Sequence, residues 1–248
     1  MAKINIAKIS TRAPKGLNKE KTKLKTQKIL TELDELQNLL FAEGKHGVLV
    51  VIQGMDASGK DGAIRNVFGQ LNPQGVMVKS YKAPSTEELS HDFLWRIHQY
   101  TPAKGCIQIF NRSHYEDILI TRVHKWCNNE LAKKRMQAIN NFEQLLQEHS
   151  NVHILKFYLH ISPEEQQSRL KERVEDPRKQ WKYNQQDFEE AKLWNEYMSA
   201  YNDCFNNCNQ PEWLITPADQ NWYKEFIIAT KLHELLSSLE MQYPGLKK

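Results

Sequence analysis

Seven consecutive residues carry the sharpest chemical signal in this chain: Gly54-Met55-Asp56-Ala57-Ser58-Gly59-Lys60. They fit the spacing GxxxxGK. In a loop of this kind the glycines let backbone N–H groups turn towards an anion. The start of the next helix adds partial positive charge, and the lysine contacts terminal phosphates. Such a P-loop needs an apolar strand before it and a helix after it. Residues 48–53 (VLVVIQ) and the segment opening at Lys60 supply both. The Ser or Thr that normally follows the lysine and binds a metal is replaced by Asp61. A carboxylate beside bound phosphates repels them unless a metal intervenes. Asp56, and with it Asp61, is therefore expected to organise magnesium, directly or through water, with manganese as the alternative ion. A plain helix N-terminal role is the other reading of Asp61. Gly62 is expected to permit close helix packing.

A second cluster, FNRSHYED over residues 110–117, closes an apolar segment, 106–110 (CIQIF). In doubly wound sheets ligands gather at the carboxyl ends of strands. Arg112 would project towards phosphates there, and its fork suits bidentate contact. Asn111 stands where a Walker-B-like strand usually carries aspartate. It could orient a phosphate or a metal-bound water, or cap a helix. His114 reads as structural. A third cluster spans residues 169–182 (RLKERVEDPRKQWK). Arg169 and Arg173 share a helix face, Asp176-Pro177 breaks that helix, and a new helix starts near Asp187. Two helices joined by a basic turn suit a lid over a phosphate tunnel; a solvated basic face is the alternative.

The elements that would position these groups follow from periodicity. Leu24, Ile29, Leu30, Leu33, Leu36, Leu39 and Leu40 recur at helical spacing, predicting an amphipathic helix over 19–43 ended by Gly44 and Gly47. Residues 1–20 read as irregular, with Pro14 and Gly16 as breakers. Strands are expected at 48–53, 76–81, 106–110, 152–160 and 213–216. Helices are expected at 60–71, 85–100, 113–125, 130–149 and 222–240. A further helix should start at Pro163, with Ser162 as N-cap and Glu165 as its capping-box partner. This alternation predicts an α/β fold: a three-layer α/β/α domain around a five-stranded, mainly parallel sheet, with a helical lid over about 163–209 and an N-terminal helical extension.

Composition bounds the rest. The 248 residues are 40% hydrophobic and 26% charged, an ordinary globular balance. No apolar run approaches the ~18 residues of a membrane span, and no apolar stretch follows the lysine-rich start to make a signal peptide. Cys106, Cys127, Cys204 and Cys208 form no CxxC pair. They read as reduced thiols of a cytoplasmic protein. The net charge of +4 is uneven: residues 1–28 carry nine basic side chains against Glu20, so they sum to +8 and the remainder to −4. A basic arm on an acidic body suits a polyanion partner, whereas a solvated tail is the plainer reading.

The three clusters, in this order, resemble the polyphosphate kinase 2 family of P-loop kinases. The matching segments are GMDASGKDGAI, LNPQGV, KAPSTEELSHDFLWR, IFNRSHYEDILITRVH, INNFEQ and RLKERVEDPRKQWKYNQQDFEEAKLWNEY. The resemblance implies magnesium-dependent phosphoryl transfer between inorganic polyphosphate and nucleoside mono- and diphosphates. It favours polyphosphate over nucleic acid or membrane as the polyanion. It assigns Gly54, Met55, Asp56, Ala57, Ser58, Gly59, Lys60, Asp61 and Gly62 to the phosphate loop. Asn111, Arg112 and Glu116 fall to the second cluster, and Arg173 and Lys182 to the lid. Asp56, Lys60, Arg112 and Arg173 would be catalytic, and Arg122 would bind phosphate. Lys79, Lys82, Arg169 and Arg178 would line a polyphosphate channel. The asparagine at 111 resembles the subgroup that accepts both AMP and ADP. Relatives assemble as dimers or tetramers, so a homodimer or homotetramer is implied. The division is a basic extension, 1–28, and one kinase domain, 29–248. Truncation from residue 29 is then expected to spare kcat and raise KM for polyphosphate. Two alternatives use the same residues: an ATP-dependent nucleoside monophosphate kinase, and a non-enzymatic polyanion binder acting through the basic arm.

Overall fold

The computed structural model describes residues 3–246; residues 1–2 of the expected extension and 247–248 of the expected domain lie outside them. Val48, Leu49, Val50, Val51 and Ile52 are all fully buried, as a central strand covered on both faces requires. This strand, β1 (Gly47–Gln53), is the middle of a sheet formed with β2 (Val76–Ser80), β3 (Ile107–Asn111), β4 (Val152–His160) and β5 (Trp213–Pro217). The order is β2-β3-β1-β4-β5 and every pairing is parallel, with Val50 opposite both Ile109 and Leu155. The carboxyl ends of all five strands therefore open at one edge.

In chain order the helices are α1 (Lys19–Glu43), α2 (Lys60–Phe68), single turns α3 (Thr86–Leu89) and α4 (Trp95–His98), α5 (Ile120–Val123), α6 (Asn129–Ser150), α7 (Pro163–Glu175), α8 (Gln185–Lys192), α9 (Trp194–Asn207) and α10 (Asn221–Ser237). Side chains alternate across β4. Lys156 reaches Glu143 of α6, and Tyr158 packs on Tyr201 and Phe205 of α9. Phe157 and Leu159 face the other way, towards the group formed by α1, α2 and α10. Among the described residues, no helix is long and apolar enough to cross a membrane.

Several expectations change in the folded chain. The helix expected at 85–100 is two single turns, because Asp92 starts a new turn by accepting from the Leu94 N–H at 2.9 Å. The helix expected at 113–125 is a 3₁₀ turn, His114–Asp117, followed by α5. Here His114 and Tyr115 are both pulled inward, to Glu143 at 3.3 and 2.7 Å. The capping box at Ser162 is half made. Ser162 Oγ accepts from Glu165 N, but Ser162 N donates to Asp219 at 2.8 Å, and Glu165 instead holds Arg169.

The stretch expected as a lid, 163–209, divides. Leu170 of α7, with Ala191 and Phe188 of α8, packs on Ala57 in a small cluster apart from the main core. Helix α9 is not part of it: Tyr197, Ala200, Tyr201, Cys204 and Phe205 are buried in the main core.

The basic arm is not a free tail. Ile6 is fully buried, the N–H groups of Ile4 and Ile6 donate to Asn206 and Asn202 of α9, and Thr11 donates to Asp219 at 2.7 Å. The expected boundary at 28/29 falls inside α1, whose buried stripe includes Thr22, Thr26, Ile29, Leu30, Leu33, Gln37 and Leu40. Leu24 lies off that stripe and is exposed.

Candidate active site

Where β1 ends, Gly54 and Gly59 have φ of 155° and 88°. A Cβ on Gly54 would lie 2.7 Å from Ser58 Oγ and 2.9 Å from Leu159 O, so only glycine fits. The chain wraps around Lys60, whose Nζ donates to Gly54 O at 2.7 Å and Met55 O at 3.1 Å. Burial, then the nearby Arg112 guanidinium, lowers the Lys60 pKa to about 8. Its ammonium is thus primed to gain from any anion that enters.

From β3, the second wall approaches. Asn111 Nδ2 donates to Asp61 at 2.8 Å and to Ser80 Oγ at 3.4 Å, and the turn that follows is capped by Ser113. The Asp61 carboxyl is held below its ordinary range. Burial works to raise it, and the Asn111 amide with the Lys182 and Lys60 ammonium groups outweighs that. Arg112 sits at φ 59°, a left-handed conformation strained by about 1–3 kcal/mol for a residue with a Cβ. That backbone aims its guanidinium back at Asp56, with which it pairs, and at Glu116, 3.6 Å away. Glu116 first, then Asp56, raises the Arg112 pKa against the cost of burial.

The third wall is α7 and α8. Arg173 pairs with Asp187, and Lys182 lies 3.5 Å from Asp61. Burial, then the charge of Asp56, raises the Asp187 carboxyl pKa, and both carboxylates line the same cleft. The three walls enclose one cleft of about 940 Å³ that Asp56, Lys60, Asp61, Lys82, Asn111, Arg112, Arg173 and Lys182 all line. Two guanidinium groups, Arg112 and Arg173, thus line one cleft with Lys60 although they lie far apart along the chain.

Not every expected cation belongs there. Arg122 pairs with Asp203 of α9 at 2.8 Å, outside the cleft. Lys79 stacks its ammonium on Tyr100, 3.7 Å from the ring centre, because alternation along β2 puts it on the sheet face opposite to Ser80, which lines the cleft. Arg178 is almost fully exposed and held by Asp176. Arg169 lines the cleft, but its guanidinium is consumed as a brace: it donates to Ala57 O at 3.1 Å and to Ala218 O and Asp219 O at 2.9 Å. Gly62 does not serve helix packing, since a Cβ there would meet nothing within 4 Å; it faces the cleft.

The sequence reading missed Lys224, Gln166, Asp187 and Lys179. Lys179 lines the cleft and pairs with Glu172. Gln166 donates to Asp56 O at 3.0 Å, and Lys224 to Ser58 O at 3.1 Å. Asp187 reads in sequence only as a helix start, and nothing in local spacing marks α10 as reaching the loop.

Among the described residues no three His, Cys, Asp or Glu side chains are grouped to hold a metal. What the cleft offers is hard oxygen donors, Asp56 and Asp61, flanking a phosphate loop. That set fits a divalent ion that takes most of its ligands from phosphate and water, and does not fit a self-contained protein cage.

Comparison with known proteins agrees with this geometry. The family model for polyphosphate kinase 2 (PPK2) matches residues 16–246. The chain is 47% identical over 214 residues to an AMP/ADP-polyphosphate phosphotransferase of Meiothermus ruber, covering 86% of this chain and 80% of that protein. It is 42% identical over 236 residues to an ADP-polyphosphate phosphotransferase of Rhodopseudomonas palustris, covering 89% and 80% respectively. The crystal structure of polyphosphate kinase 2 from Arthrobacter aurescens TC1 superposes with a TM-score of 0.93 at 37% identity, over 99% of this chain and 89% of that one. The chain belongs to the polyphosphate kinase 2 family.

Proposed function

We propose that this chain transfers phosphoryl groups reversibly between inorganic polyphosphate and AMP or ADP, or the guanine equivalents, giving ADP and ATP. The observation that carries this reading is the convergence of Lys60, Arg112 and Arg173 on one open cleft at the sheet's carboxyl edge. Phosphoryl transfer asks little covalent chemistry of a protein; positioning and charge stabilisation do most of the work. Lys60 and the loop N–H groups hold the phosphoryl group being passed. Arg112 and Arg173 approach it from opposite walls and stabilise charge on its equatorial oxygens. Asp56 and Asp187 keep those two guanidinium groups aimed into the cleft. Lys82, Lys179 and Lys182 add a basic margin for a flexible polyanion in any register.

A divalent ion, magnesium in this reading, would be held by Asp56 and Asp61 and would supply charge neutralisation on phosphate oxygens when bound. Helices α7 and α8 form the lid, because their own small cluster rests on the loop at Ala57. A homodimer or homotetramer and a cytoplasmic location belong to the same reading. Four free cysteines, three of them buried, support the second.

The test is direct. Purified chain with magnesium, long-chain polyphosphate and AMP or ADP should form ADP or ATP. The rate should fall steeply with added salt, as expected for a substrate held electrostatically. No product from folded protein across a range of pH and metal ions would overturn the reading.

A further inference from the structure

Every carbonyl of the phosphate loop is tied down by a side chain. Lys60 takes those of Gly54 and Met55, Gln166 that of Asp56, and Arg169 that of Ala57. The last two, Ser58 O and Gly59 O, accept from Lys224 Nζ at 3.1 and 3.2 Å. A planar trans peptide holds its C=O and the following N–H in opposite directions. Anchoring Ser58 O on α10 therefore turns the Gly59 N–H the other way, towards the cleft, and Gly59 O, shared between Lys224 and the Ala63 N–H of α2 at 3.0 Å, turns that of Lys60 likewise. Neither N–H has a hydrogen-bond acceptor among the described residues.

We propose that Lys224 is a positioning residue for phosphoryl transfer: its buried ammonium holds the Ser58 and Gly59 carbonyls so that the Gly59 and Lys60 N–H groups form the phosphate nest. The proposal rests on the phosphotransferase reading for its kinetic consequences only.

The geometry argues against a lysine retained merely for packing. Lys224 is 1% exposed, and burying an ammonium is costly where an apolar side chain would fill the space. Its three protons meet three acceptors, the third being Asn221 Oδ1 at 3.0 Å. It also lies against Gly59 so closely that a Cβ there would come within 2.3 Å of Nζ. The charged groups around Nζ are Arg169 and Glu165 of α7, Glu225 of its own helix and Lys60 of α2. Burial, then Arg169, lowers its pKa to about 7. A neutral amine donates only two hydrogens, so one loop carbonyl, or Asn221, is released as pH rises. A polyanion in the nest restores the proton.

The test uses the full chain with Lys224→Met, which keeps the stem and removes the ammonium. Lys231→Met, at an exposed ion pair on the same helix, is the control. We expect K224M to remain folded by circular dichroism and to lose about 100-fold in kcat/KM with polyphosphate and ADP. That is the size found when one preorganised donor is removed. Calorimetric affinity for tripolyphosphate should fall about 10-fold, a loss of about one decade or 1.4 kcal/mol, and K231M should match the parent. Folded K224M with rate and affinity within twofold of the parent would reduce Lys224 to a core lysine and overturn the proposal.

Should K224M not fold, the unaltered ¹⁵N-labelled chain decides. The Gly59 and Lys60 amide signals should shift with an inflection near pH 7, apart from that of Lys60 near 8. Amide signals that stay flat from below pH 7 up to the ordinary lysine value of 10.5 overturn the proposal. Tripolyphosphate binding and the amide titration bear on Lys224 even if the unaltered chain made no nucleotide product, which would instead count against the phosphotransferase reading.

Discussion

Replacing Arg112 by Met removes the guanidinium that pairs with Asp56 and reaches Glu116 at 3.6 Å. The side chain is 32% exposed, so its charge is partly screened and a dielectric of about 20 is appropriate. A cation about 4 Å from a group that gains one unit of charge then contributes about 4 kcal/mol, which is about 10³ in rate. Arginines that contact a transferring phosphoryl group are worth about 10³ to 10⁵, so the lower end applies. R112M also leaves Asp56 and Glu116 uncompensated beside an incoming polyanion, so KM for polyphosphate should rise with the fall in kcat. R112K keeps a point charge and loses the fork; it should recover about 10- to 100-fold of the loss. Both replacements have a Cβ and inherit the same strain at φ 59°, so their difference reports the head group alone. Initial rates at saturating polyphosphate and ADP measure kcat. A folded R112M whose kcat stays within about threefold of the parent would refute the placement of Arg112 at the transferring group.

Lys60 and Lys224 titrate at about 8 and about 7, below the ordinary lysine value of 10.5. Between those values the unfolded chain binds more protons than the folded one, so stability without ligand should rise with pH from about 7 to about 10. It should turn over beyond that, because burial raises the phenol pKa of Tyr81 and Tyr158 and these ionise only on unfolding. Urea unfolding at pH 7 and 9.5 measures this. Activity should run the other way, with kcat/KM falling from about pH 7 upward as first Lys224 and then Lys60 lose their protons in the free enzyme. Gly59→Ala should abolish activity through the collision with Lys224. Gly62→Ala should instead stabilise α2 by up to about 1 kcal/mol; melting temperatures separate the two. Truncation from residue 29 removes Ile6, Thr22 and Thr26 from buried positions. Burying an isoleucine alone is worth about 1.5–3 kcal/mol, so the truncated chain should melt well below the full one. That outcome differs from the simple rise in KM expected of a detachable arm.

The parts of this protein legible in its sequence are those set by neighbours along the chain. β1 announces itself because a strand buried on both faces has to be apolar at every position. α1 runs over the predicted 19–43 because its apolar stripe repeats every three to four residues and Asn18 caps it. Gly54 and Gly59 reveal the loop because only glycine tolerates its backbone. Lys60 needs no more than the loop it closes. The family too was legible, through strings such as FNRSHYED whose residue types are unusual in combination.

What the tertiary structure alone decided is where each cation's charge goes. Arg169 and Arg173 are one helical turn apart, yet Arg169 is spent on loop carbonyls while Arg173 stays at the cleft with Asp187. Arg122, Lys79 and Arg178 were also expected at the phosphates, and the fold turns them elsewhere. Lys224, more than 160 residues from the loop it braces, has no local signature at all. The physical reason is common to these cases. Spacing along a chain fixes which residues share a face, whereas a side chain's partners depend on what other segments pack against that face. An ammonium or guanidinium spends its hydrogen bonds on whichever acceptors arrive.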